Sequence, residues 1–210
     1  MRPRLQEIKQ KLQGTDVFII GGGNSLKDFD FARLKNKNVI AINSAYKFID
    51  DAILFWTDGS WVAANDLTLQ NHSSKYRMMA ITNADIAIKK NLTGTANSIY
   101  LKRSGDFGYD PNPDNVMGNN SGTMAINFAI NMGAKRIILL GFDLKQINRK
   151  SHFHNDYDSI VMESVYDNLF IPSFKKLFEE SKMVNTKIIN CSPDSALNCF
   201  EFGDIDEFLT

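Results

Sequence analysis

Two cysteines, Cys191 and Cys199, are too few for a disulfide framework and carry no metal-ligand spacing, so a reducing compartment is the natural setting. Net charge is also missing: 24 basic and 24 acidic residues cancel, which removes any global pull toward nucleic acid or an anionic membrane, although a local basic patch stays open. No stretch approaches the roughly 20 apolar residues that a membrane-spanning helix needs. The first residues, Met1-Arg2-Pro3-Arg4-Leu5-Gln6-Glu7-Ile8, have charge but no apolar run, so no signal peptide is expected and the protein reads as cytoplasmic. Triplets such as Asn91-Leu92-Thr93 then carry no glycosylation meaning. Repeats, linkers and low-complexity tracts are absent, and the 210 residues read as one domain, 1–210.

What is present is a series of short apolar runs separated by polar or helical segments. Leu5, Ile8 and Leu12 mark a short leading helix that ends at Gly14. Strands are expected at 17–20, 39–42, 52–56, 78–82, 136–140 and 187–190, with Ile99-Tyr100-Leu101 as a further candidate. Met124, Phe128 and Met132 recur at helical spacing beside Ala125 and Ala129, and predict a helix closed by Gly133. A longer helix is expected across about 159–182. The region 91–120 has little periodicity and reads as loop-rich. Strands alternating with helices predict an α/β fold: a mostly parallel sheet with helices on both faces.

The stretch Val17-Phe18-Ile19-Ile20-Gly21-Gly22-Gly23-Asn24-Ser25 is the most informative. A buried strand running into glycines, with Asn24 or Ser25 as cap of a following helix, describes a phosphate-binding corner. It fits neither standard nucleotide fingerprint, and a tight turn without a ligand explains it equally well.

In open α/β sheets ligands bind beyond the carboxyl ends of the strands. Here the strands hand over to Gly22-Gly23-Asn24-Ser25, to Asn43-Ser44, to Asp58-Gly59-Ser60, to Asp143 and to Ser192-Pro193-Asp194-Ser195. Such residues suit phosphate, ribose hydroxyls and a base edge, though turns are polar in any case. Asn120-Ser121-Gly122-Thr123 opens the next helix and is either a plain cap or a second anion-binding terminus.

Of three histidines, His72 reads as solvent-exposed. His152 and His154 follow the strongest strand and its Asp143, where a histidine can act as general base near neutral pH. The alternative, a zinc site with Asp156, lacks a third strong ligand at metal spacing. Lys145, Arg149 and Lys150 in the same loop would balance phosphate charge or simply be solvated.

The order of Val17–Leu26, Asn43, Asn120-Ser121-Gly122-Thr123-Met124-Ala125 with Gly141-Phe142-Asp143, Ser151-His152-Phe153-His154 and Cys191-Ser192-Pro193-Asp194-Ser195-Ala196-Leu197 resembles the bacterial lipooligosaccharide sialyltransferase family. It is similar, too, to related phage and bacterial sialyltransferase-like proteins and to the archaeal 6-hydroxymethylpterin diphosphokinase-like group. The resemblance implies a Rossmann-like fold and a metal-independent, inverting glycosyltransferase with a histidine base. Carried over, Asn24 and Ser25 would meet the donor phosphate or ribose, and Asn43 its sugar or phosphate. Ser121, Gly122 and Thr123 would meet the nucleotide or the donor carboxylate, His154 would be the base, and Ser192 and Ser195 would line the nucleotide pocket. This chain departs from the family at Asp58, where the family has an asparagine. In the loop after Asp143 the family's tyrosines are missing, and Tyr157 is the only tyrosine near it.

The leading expectation is therefore transfer of a sugar from a nucleotide-sugar donor, CMP- or UDP-linked, with no cofactor required. His154, His152 and Asp143 are the catalytic candidates, and Gly22, Gly23, Asn24, Ser25, Asn43, Asp58, Asn120, Ser121, Gly122, Thr123, Ser192 and Ser195 the donor-binding ones. Two alternatives stand beside it. One is a pterin- or nucleotide-directed diphosphotransferase with Mg²⁺ on Asp58 and Asp143. The other is a nucleotide-binding module without turnover. A glycan, a modified DNA base or a small molecule would each serve as acceptor, and assembly into a homo-oligomer is compatible with the sequence.

Overall fold

The computed structural model describes residues 1–72, 74, 76–81, 98–156 and 160–209. Among the described residues nine strands form one sheet in the order β6-β5-β4-β3-β2-β1-β7-β8-β9. They are β1 Asp16–Ile20, β2 Asn38–Ile42, β3 Ile53–Trp56, β4 Arg77–Ile81, β5 Ile99–Gly105, β6 Asn115–Met117, β7 Arg136–Leu140, β8 Lys187–Asn190 and β9 Glu201–Phe202. Every pairing is parallel. Strand order descends to β1 and then ascends from β7, so the topological switch lies between β1 and β7, where an open sheet leaves a crevice at its carboxyl edge.

Alternation along the central strands builds two cores. Val17 and Ile19 of β1 face the same layer as Ile137 and Leu139 of β7. That layer is covered by the helices Pro3–Leu12, Ser121–Asn131 and Ile171–Ser181, through Leu5, Met124, Phe128, Phe174 and Leu177. Phe18, Ile20, Ile138 and Leu140 face the other side. There the cover is the helix Gly59–Gln70 and a set of 3₁₀ turns carrying Leu26, Leu34 and Tyr46. Strands buried on both faces are what continuous apolar runs specify.

Strand positions agree with the sequence reading to within a residue or two, and Leu5, Ile8 and Leu12 are the buried face of the leading helix. Thr82, Tyr157 and the 159 start of the expected long helix lie outside the described residues. Three differences have physical causes. The helix expected after the glycine corner is only a 3₁₀ turn, Asn24–Leu26. Asp30 instead draws the chain into a second short turn by accepting from the Ala32 amide at 3.0 Å. The expected long helix, described from Glu163 to Ser181, contains a π turn at Tyr166–Phe170. The described part of the loop-rich region holds β5 and β6, fastened by the buried Asn127. Its Oδ1 accepts from the amides of Asp110 and Met117, and its Nδ2 donates to Asp110 O.

Candidate functional site

A pocket of about 460 Å³ opens at the carboxyl edge of the sheet, over the β1/β7 switch. Its wall combines the glycine corner, Asn43 after β2, Thr57 and Asp58 after β3, the start of the Ser121–Asn131 helix, the loop after β7, and the His152–His154 loop. That volume suits a ligand of nucleotide size.

The glycine corner and the β7 loop are built into each other. Gly21 N donates to Leu140 O and Gly23 N to Gly141 O, each at 2.8 Å. A Cβ on Gly21 or Gly23 would stand 2.6 Å from Gly141 O, and one on Gly23 also 2.6 Å from the Asp143 carboxyl. One on Gly22 would meet the His152 ring at 2.8 Å. Close approach of the neighbouring loop therefore explains the three glycines, and the amides of Gly21 and Gly23 face β7 rather than a phosphate.

Asp143 is buried at 2% exposure and accepts twice from Ser25, from its N–H at 2.8 Å and from its hydroxyl at 2.5 Å. Burial raises its pKa, while those two bonds and Lys145 pull the other way. Each of its oxygens accepts one bond from Ser25, so Asp143 ties the two loops together while also lining the pocket.

Ser192 and Ser195 stand behind the wall and grip the same segment. Ser192 Oγ accepts from Phe142 N at 2.7 Å, and Ser195 Oγ donates to Phe142 O at 2.5 Å. Asn24 and Ser25 belong to this framework as well; among the described residues none of these four lines the pocket.

The helix start is aimed into the cavity. Asn120 caps it by accepting from Thr123 N at 3.0 Å, and the buried Thr123 hydroxyl donates back to Asn120 O. Asn120, Ser121 and Gly122 line the wall, whereas Thr123 lies beneath it. Ser121 Oγ meets Thr57 Oγ1 at 2.8 Å, which joins the helix start to the end of β3. Asn43 reaches the wall from a left-handed backbone, φ +48°, which asparagine tolerates better than most residues. Leu144, also on the wall, has φ +50°. A leucine there is strained, as backbone beside functional groups often is.

His152 and His154 both line the pocket, their rings 5.4 Å apart. Burial lowers both pKa values, and for His154, with the neighbouring His152 adding to it, the value falls to about 4. The pair is neutral at pH 7. Their loop is pinned on both sides: Phe153 N donates to Gly22 O at 3.0 Å, and the Phe153 ring packs 5.6 Å from Phe31 and 5.0 Å from Phe48. Lys47 holds Asp156 at 2.5 Å. His72, by contrast, sits away from the pocket against the Tyr46 ring, half-buried.

Sequence reasoning missed Tyr166. It lines the pocket together with Phe170 and Phe174, and is 6% exposed. Burial raises its pKa, so its hydroxyl stays a proton donor. The available signal was the helical spacing of 166, 170 and 174, which gave a helix but not its orientation. π turns concentrate at functional sites, and this one carries Tyr166 at its first position.

Comparison with known proteins gives one informative match. No family model matches the chain, and neither does any curated protein. A solved structure of the sialyltransferase CstII from Campylobacter jejuni, in complex with a substrate analogue, cytidine-5′-monophosphate, superposes with a TM-score of 0.58. The similarity covers 90% of this chain and 85% of that one, at 20% identity. It establishes a shared Rossmann-like α/β fold.

Proposed function

We propose that the protein is a glycosyltransferase that moves a sugar from a nucleotide-sugar donor to an acceptor hydroxyl with inversion. One observation carries the reading: a single pocket brings together a capped helix start, a lysine, a buried tyrosine and two neutral histidines at the crevice of the sheet. The fold likeness to a sialyltransferase solved with CMP supports the same reading.

In this mechanism the helix start at Ser121 and Gly122, with Lys145, receives the donor phosphate, since free helix amides and a cation favour an anion. Tyr166 donates a hydrogen bond to the departing phosphate oxygen. His154 takes the acceptor proton as the bond to the sugar forms. Its low pKa keeps it deprotonated and ready, and an anionic phosphate beside it raises its basicity as the donor binds. The pinned His152–His154 loop fixes that geometry in advance. Stabilisation of the phosphate thus moves from the glycine corner, where Gly21 and Gly23 bond β7, to the helix start and the loop after β7.

A thermal-shift panel of CMP, UMP, UDP, GDP and ATP, each with and without Mg²⁺, tests the reading, because ligands of the folded state raise its melting temperature. A metal-independent shift with CMP or UDP supports it. A shift with ATP and Mg²⁺ alone replaces it with the diphosphotransferase.

A further inference from the structure

In a parallel sheet every strand enters from the same edge, and that amino edge lies opposite the pocket. The four loops that lead into the neighbouring strands β2, β1, β7 and β8 are bonded into one surface there. Gly14 N donates to Gly133 O and Lys135 N to Thr15 O, each at 2.8 Å. Thr186 Oγ1 donates to Ala134 O at 2.8 Å, and Asn38 Nδ2 to Thr15 Oγ1 at 3.0 Å. Strands stand about 4.8 Å apart, so these four loops span about 15 Å.

Each of the four loops carries lysine. Lys9 and Lys11 lie in the last turn of the Pro3–Leu12 helix, and Lys35 and Lys37 flank Asn36, whose φ of +66° turns the chain between them. Lys135 precedes β7, and Lys182 follows the Ile171–Ser181 helix. Lys11, Lys35, Lys135 and Lys182 are exposed, Lys9 and Lys37 half-buried. Around them Asp16 is matched by Arg136, Asp206 by Arg33 and Glu201 by Lys187. Glu179 adds one exposed carboxylate beside Lys182, and Asp50 and Asp51 stand one strand further out, before β3. Among the described residues of these four loops, positive charge is in excess, in a chain whose total is zero.

After Lys182 the chain makes a tight turn, with Val184 N on Ser181 O and Thr186 N on Val184 O, each at 2.9 Å. Met183 stands on that turn at 96% exposure. An apolar side chain held out beside ammonium groups matches an anionic bilayer: the side chain enters the headgroup layer while the lysines meet lipid phosphates. A nucleic acid would engage the lysines as well, but stacking on bases calls for an aromatic face, which a thioether does not provide.

We propose that the amino edge of the sheet docks on an anionic membrane surface, with Met183 as the inserted side chain. The pocket, at the opposite edge, then opens toward the aqueous side. This holds whether or not the pocket takes a nucleotide-sugar.

The test is co-sedimentation of the full chain with vesicles of phosphatidylcholine, with and without about 30% phosphatidylglycerol. The protein should bind the anionic vesicles and not the neutral ones, and should be released as salt rises from about 50 to about 300 mM. Lys35→Glu with Lys135→Glu should weaken that binding about tenfold or more, and Met183→Ser about threefold. All three positions are exposed, and unchanged melting temperatures would confirm that the variants fold; Lys35→Gln with Lys135→Gln is the second variant should the charge reversal not.

Equal binding to neutral and anionic vesicles, or to neither, overturns the proposal. Undiminished binding of the lysine variant overturns the assignment to this edge, and undiminished binding of Met183→Ser overturns the insertion. Tighter binding to a double-stranded DNA oligonucleotide than to anionic vesicles, at the same salt, replaces the membrane with nucleic acid.

Discussion

Ser25 and Asp143 are 118 residues apart, yet Ser25 donates both its amide and its hydroxyl to the one carboxylate, at 2.8 and 2.5 Å. The pair locks the loop after β1 to the loop after β7. Ser25→Ala should cost about 1–3 kcal/mol in urea unfolding, because a buried carboxylate then loses a donor. Ser25→Ala with Asp143→Asn should cost less than the sum of the single changes, and full additivity would sink the idea of a coupled tie.

The glycines separate by what stands opposite them. Gly23→Ala drives a Cβ into the Gly141 carbonyl and the Asp143 carboxyl, neither of which can retreat. It should lower stability by about 2–4 kcal/mol, as overpacking against a fixed framework does. Gly22→Ala meets the His152 ring at 2.8 Å and His154 Nε2 at 3.6 Å, side chains rather than main chain. It should stay within about 1 kcal/mol of wild type while shifting the His152 imidazole signals in NMR. Equal losses in the two variants would contradict this account.

The histidines make stability depend on acidity. His154 has a folded pKa of about 4 against an ordinary value of 6.5, so the unfolded chain binds more protons between those limits. Stability should therefore rise with pH through that window and fall on acidification. The full shift corresponds to about 3 kcal/mol, and partial solvent access reduces it to about 1–2. Chemical unfolding at pH 4.5, 5.5 and 7 checks this, and His154→Gln should flatten the slope. An unchanged slope would place the titration elsewhere.

Tyr166→Phe removes one hydroxyl and little volume. If that hydroxyl meets the departing phosphate, kcat should drop about tenfold or more with KM nearly unchanged, the signature of an interaction made in the transition state. Lys145→Gln should instead weaken nucleotide binding, and the loss should shrink at high salt. Matching effects of the two variants on KM alone would remove Tyr166 from the chemical step.

Phe153 has no chemical group to contribute, but its ring seats the histidine loop between Phe31 and Phe48. Phe153→Ala should cost about 2–3 kcal/mol and lower turnover more than donor affinity, measured by initial rates beside calorimetry. Unaltered turnover would mean that the loop orders itself without this anchor.

Much of the fold was legible because its strands are buried on both faces. Val17–Ile20, Val39–Ile42, Ile53–Trp56 and Ile137–Leu140 are apolar throughout, and such runs have few other interpretations. The pocket's perimeter followed from reading what comes after each strand: Gly22, Asn43, Asp58, Ser121, His152 and His154 meet on one wall. What the sequence concealed was direction. Ser192 and Ser195 have the chemistry of ligands but bind the main chain of the neighbouring loop, and periodicity carries no information on which side of a loop a hydroxyl points. Short-range rules also expected a helix capped at Asn24 or Ser25, where the chain makes only the 3₁₀ turn Asn24–Leu26. Tyr166 was concealed because its spacing with Phe170 and Phe174 specifies a helix face but not that this face meets the pocket.

The switch between β1 and β7 also sets an order of events as the chain is made. The six strands β1 to β6 can pair from the N-terminal part of the chain, but neither the Asp143 tie nor the histidine loop exists until β7 has been synthesised and docked on β1. The half-formed sheet exposes β1 as an edge, a template for pairing with the wrong strand. The pocket is thus completed late and all at once, and a ligand that captures the completed crevice would draw the last third of the chain into place.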